Sequence, residues 1–130
     1  MSVNIINVVF IVCFKLGLSS CSYHHDSAAF LFSLVNKPGW QPLKLDQTGK
    51  YHYHKSFSII SCSSHGPTFG NGYDIHIASN AASNTNSYSN LGNTYSPPPG
   101  NSYQSSFTQS FLAGSYTFRP DEVEVFYETT

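Results

Sequence analysis

Charge is what this chain has least of. Only 10% of its 130 residues are Asp, Glu, Lys or Arg, and the formal net charge is −1. A nucleic-acid binder needs a basic surplus to displace counterions from phosphates, so that class is excluded. Arg119 is the single arginine, which leaves almost no material for bidentate reading of phosphates or bases. Cysteine is also scarce. Cys13, Cys21 and Cys62 contain no CxxC pair, which excludes a zinc ribbon or a thioredoxin-type centre. The GxSxG pattern of a nucleophile elbow is absent. No N-x-[ST] sequon occurs among the many asparagines, so glycosylation gives no hint of compartment.

Long apolar runs are missing too. The longest, residues 5–14 (IINVVFIVCF), is about half of the roughly 20 residues that a spanning helix needs, so no membrane span is expected. Three readings stand for residues 1–19. The run has the length of a signal-peptide core, with Ser19 and Ser20 as a cleavage region, although MSVN carries no basic residue and Lys15 follows the run. It also suits a buried strand, or an artefact of the gene model. Localisation follows from that choice: extracellular if residues 1–20 are a signal peptide, otherwise cytoplasmic.

Aromatic residues are what the chain has in quantity: nine Tyr and ten Phe, with Trp40 as the lone tryptophan. Many aromatics and few charges point to a β-rich, folded chain rather than a disordered one. Period-two patterning between Gly/Pro turns predicts strands near 28–35, 40–45, 55–63, 73–79, 111–118 and 122–128, with no convincing helix. Pro42 makes the second strand irregular or an edge. Gly114 marks a bulge in the fifth. The fold class is mainly β, an antiparallel β-sandwich.

Two regions stand out. In GPTFGNGYDIHI (66–77), Gly66, Pro67, Gly70 and Gly72 form an inter-strand turn, and Asp74, Ile75, His76 and Ile77 alternate like a half-buried strand. Residues 80–104 are rich in Asn, Ser and Tyr, with Pro97, Pro98 and Pro99 in a row, and read as a long surface loop. Loops carry recognition on a rigid scaffold. The candidate binding residues are therefore Phe69 and Tyr73 in the turn, and Tyr88, Tyr95 and Tyr103 in the long loop.

Candidate chemistry is thin. His52 and His54 share a strand face and could hold a metal, but two ligands are not a closed site, and exposed strand histidines are the plainer reading. His24, His25 and Asp26 read either as an oriented histidine or as a solvated turn. Cys62 with His65 lacks an orienting third group for nucleophilic catalysis. GPTFGNG is followed by no helix that could cradle a phosphate. Glu122, Glu124 and Glu128, with Asp121, form an acidic strip that is either a solvated strand face or a docking strip for a basic partner. No catalytic set, metal or cofactor is assigned.

DSAAFLFSLVNKPGWQPLKL, SSHGPTFGNGYDIHI and FLAGSYTFRPDEVEVFY follow one another as in TLDc domains. The chain resembles the second half of such a domain over roughly residues 20–128. The Ser/Asn/Tyr-rich loop with its proline run is most similar to animal multidomain, often extracellular, members. Asn71 and Tyr73 depart from the family's Gly and His. The resemblance implies a β-sandwich flanked by helices and a role in protein binding, with oxidative-stress protection or vacuolar-ATPase binding as the family's themes. Residues 20–130 are expected to be a partial domain whose first half is missing, and an uncovered sandwich face could self-associate.

The expected activity is that of a non-catalytic protein-interaction module. The alternatives are an extracellular recognition module, a thiol-redox protein using Cys21 and Cys62, and a non-functional fragment. Whether those two cysteines pair is open. In a simple meander they lie at opposite ends of strands of roughly 20 Å, and only a segment folded back over Cys21–Asp26 would join them.

Overall fold

The computed structural model describes residues 21–48 and 57–123. Residues 1–19, the pair His52 and His54, and Glu124 and Glu128 lie outside the described residues. So does most of the strand expected at 122–128.

The described chain is mainly β, with two antiparallel sheets. The strands are β1 (Ser22–His24), β2 (Phe30–Ser33), β3 (Leu43–Asp46), β4 (Ile59–Ser61), β5 (His65–Phe69), β6 (Ile75–Ala78), β7 (Ser87–Ser89) and β8 (Thr117–Phe118). A five-residue helix, α1 (Ser106–Ser110), lies between β7 and β8. The larger sheet has the order β1-β4-β5-β6-β7-β8, and β2 pairs with β3 in the smaller one.

One core joins the sheets. Leu31 and Leu45 from the hairpin meet Ile59, Phe69, Ile75 and Ile77 from the large sheet, with Leu91, Tyr95, Phe111 and Phe118 around them. Alternation explains the sheet's share. Ile59, Phe69 and Ile75 lie opposite one another across β4, β5 and β6, so one apolar row covers the core. Gln47 ties the hairpin to the segment before it, its Nε2 donating to the carbonyls of Asp26 (2.7 Å) and Ala29 (3.0 Å).

Several expectations change. Gly66 and Pro67 belong to β5 rather than to a turn, at a register shift between His65 and Thr68. A proline without an N–H fits such an irregularity. The true turn is 70–73, where Gly70, Gly72 and Tyr73 have φ of +85°, +76° and +59°. Asn71 is not the left-handed residue.

The segment 80–104 is not a bare surface loop. It contains β7, and it buries Leu91 and Tyr95 completely. The expected strand 111–118 shrinks to Thr117–Phe118 after a helix. Ser105 caps that helix, its Oγ accepting from the Thr108 amide at 3.2 Å. Phe107 and Phe111, four apart, both pack on Trp40 with ring centroids 5.4 Å away. A cap and an i,i+4 aromatic pair favour the helix over a weak alternation.

Cys21 and Cys62 are joined in a disulfide. The chain folds back as β1, whose Ser22 lies opposite Ser61 of β4. That register brings the two Cα atoms to 4.0 Å. The meander argument against pairing fails because β1 runs antiparallel beside β4.

Candidate functional site

The strand registers place one continuous row across the large sheet: Tyr23, Ile60, Thr68, His76, Tyr88 and Thr117, each opposite the next. These residues alternate with the core row, so they occupy the other face. Neighbouring rings complete the surface. Tyr73 stacks on His76 with centroids 5.4 Å apart and planes at 21°. Tyr88 lies 5.2 Å from His76 and 5.4 Å from Tyr116. His65 meets His76 edge-on at 4.8 Å.

The hydrogen bonds fix the centre of this face. Thr68 Oγ1 donates to the Gly66 carbonyl at 3.1 Å. It also contacts His76 Nδ1 at 3.0 Å. A hydroxyl has one proton, so His76 donates from Nδ1 and carries its neutral-form lone pair on Nε2. Burial, reinforced by His65, lowers the His76 pKa. Burial and the neighbouring tyrosines, Tyr116, Tyr73, Tyr23 and Tyr103, push the Tyr88 hydroxyl up to about 12. The face is therefore neutral and aromatic at ordinary pH. At its margins Tyr116 is 41% exposed and Tyr23 38%.

Tyr73 reaches this position through a left-handed backbone, which costs a non-glycine residue roughly 1 kcal/mol. Its ring contacts with His65, His76 and Tyr88 offset that cost.

A second feature holds the scaffold. The Asp74 carboxylate is completely buried. It accepts hydrogen bonds from the amides of Gly92 and Asn93 (3.2 Å each) and of Thr94 and Tyr95 (3.0 Å each). Burial raises its pKa to about 7, against the lowering effect of those four amides. Gly70 is required here. A Cβ on it would stand 2.0 Å from Asp74 Oδ1. This carboxylate pins the segment 92–95, and Tyr95 then donates its hydroxyl to the Ser58 carbonyl at 2.9 Å.

The TLDc domain model matches residues 12–128. The chain belongs to the TLDc domain family. No curated protein and no solved structure matches it.

Within this TLDc chain the expected binding residues separate. Tyr73 and Tyr88 lie on the aromatic face. Phe69 and Tyr95 are core residues, 5% and 0% exposed, because β5 turns Phe69 inward and the Asp74 clamp draws Tyr95 under the sheet. Tyr103 is exposed, and its hydroxyl accepts from Asn90 Nδ2 at 3.3 Å. Glu122 lines an open pocket of about 410 Å³ with Asp121, Ile77, Ala78 and Ala81. Asp26 serves its own turn, its Oδ1 accepting from the Ala28 amide at 2.8 Å. Cys62 is bonded to Cys21 and offers no thiolate to His65.

The contributions of His65, Thr68, His76, Tyr23 and Tyr116 were not visible as a site in the sequence. Alternation marks His76 as facing away from the core, but only the registers assemble the row. Among the described residues, no group of three or more His, Cys, Asp or Glu could hold a metal ion.

Proposed function

We propose that this TLDc domain is a non-catalytic binding module that recognises a protein partner through the Tyr/His face of its larger sheet. The observation that carries this reading is the ring cluster of Tyr73, His76, Tyr88 and Tyr116 on the face opposite the core. Tyrosine rings supply large contact area at low entropic cost, and their hydroxyls give a polar handle. Oxidative-stress protection and vacuolar-ATPase binding are the roles that family resemblance offers for such a module. The acidic residues at 121–122 and self-association remain secondary surfaces in this reading.

The disulfide favours a second reading, extracellular recognition, because disulfides persist in oxidising compartments. It also makes the Cys21–Cys62 pair the only thiol chemistry this part of the chain offers a redox role.

The test is capture by the immobilised chain, followed by cross-linking. Replacing Tyr88 and Tyr116 together by Ala should abolish capture while the melting temperature stays nearly unchanged. Tyr103→Ala should leave capture intact. Capture that survives the double substitution rejects the face as the recognition surface.

A further inference from the structure

We propose that His65 and His76 form a proton-operated switch that holds the aromatic face closed-packed when neutral and opens it on acidification. The inference rests on the binding reading above and adds its regulation.

The geometry is specific. The two imidazoles touch edge to face at 4.8 Å. Tyr73 stacks on one side of His76, and Tyr88 lies across it from β7. His65 Nδ1 is buried and has no hydrogen-bond partner. His76 Nδ1 is already committed to Thr68. The pair therefore has lone pairs and little surrounding polarity to disperse a charge.

The groups that face His76 decide what a proton does there. From β5 they are His65 and Thr68. From the turn before β6 it is Tyr73, and from β7 it is Tyr88, with Tyr116 beyond it. None of these is a carboxylate. Asp74, two residues before His76, has its carboxylate taken up by the amides of residues 92–95.

A first positive charge finds tyrosine ring faces that favour it. A second charge on the touching ring finds only repulsion and burial, with no counter-ion among the described residues. Strongly interacting sites titrate as a pair, in two separated steps. The second step is relieved only by moving the rings apart, which dismantles the stack of Tyr73, His76 and Tyr88.

Nuclear magnetic resonance of the full chain tests this without a partner. The imidazole Cε1–H signals and the tyrosine ring signals would be followed from about pH 8 to about pH 5, spanning the imidazole range. His65 and His76 should titrate as a coupled pair with steps about one pH unit or more apart. The Tyr73 and Tyr88 rings should shift with the lower step. His76→Phe should return His65 to a single titration and remove the pH dependence of both tyrosines. His65→Phe should do the same for His76, and it serves if the first variant does not fold.

Two histidines titrating independently, or tyrosine rings that ignore the lower step, overturn the switch. A failure of capture at neutral pH sinks the binding reading instead and leaves these titrations unaffected.

Discussion

The two faces of the large sheet are made by alternate residues of the same strands, yet they have little in common. Toward the core, Ile59, Phe69 and Ile75 align across three strands, each nearly inaccessible to water. Away from it, Ile60, Thr68, His76 and Tyr88 align across four, and the row ends in rings that reach solvent. The inner row is held by apolar burial, which is indifferent to pH and to orientation. The outer row is held by ring contacts and a committed hydroxyl, which depend on both. One backbone thus carries a scaffold on one side and a titratable surface on the other. Substitutions should separate the two.

The largest effect is expected at the clamp beneath the inner side. Asp74→Ala strands four amide donors, three of them on residues that flank or include the buried Tyr95. The expected loss is on the order of 4 kcal/mol, enough to unfold most domains of this size. Chemical denaturation measures it, and a variant as stable as the parent would show that the segment 92–95 is held by packing alone.

The same group should set a pH slope. The folded-state pKa of Asp74 is about 7 and the reference value is 3.8. The native state then binds the extra proton between those values, so its stability is highest at the acid end and falls as pH rises through that window. Asp74→Asn should flatten the slope. His76 acts in the opposite sense. Its pKa is lowered on folding, so its contribution is present above the ordinary imidazole range and is lost as pH falls. Melts of Asp74→Asn and His76→Phe across this range would separate the two contributions.

Next in size is the covalent tie at the sheet edge. Replacing Cys21 and Cys62 by Ser should cost about 3 kcal/mol, as for other loops of intermediate length. Hydrogen exchange should show β1 released first, because its described partner strand is β4 alone. Unchanged protection of β1 would mean that its pairing does not need the bond.

The smallest changes belong to the outer face. Tyr116→Ala should alter stability by about 0.5 kcal/mol or less, the usual range for an exposed position. Tyr88→Ala should cost about 1 kcal/mol, since it removes a half-buried ring with contacts to His76, Tyr73 and Tyr116. If either variant unfolds the chain, the outer face is scaffold and the contrast between the faces disappears.

Much of the strand content was legible. Residues 30–33, 43–46 and 75–78 form strands where alternation and flanking turns placed them. The turn glycines Gly70 and Gly72 were legible as well, since their backbone needs no partner to be recognised. The helix at 106–110 was not, because five residues give too short a period to outweigh nearby alternation. Tyr95 was misplaced for a different reason. Its neighbours are all polar, and the carboxylate that draws it inward lies 21 residues earlier.

Composition, hydrophobic period and turn chemistry are local properties, so they determined the β class, the absence of a nucleic-acid surface and the TLDc resemblance directly from the order of residues. Register is not local. Which residue of one strand lies opposite which residue of the next depends on the whole sheet closing over one core, and a shift by a single residue would exchange the two faces. The disulfide, the Asp74 clamp and the Tyr/His row each join residues brought together only by that closure, and so only the tertiary structure could decide them.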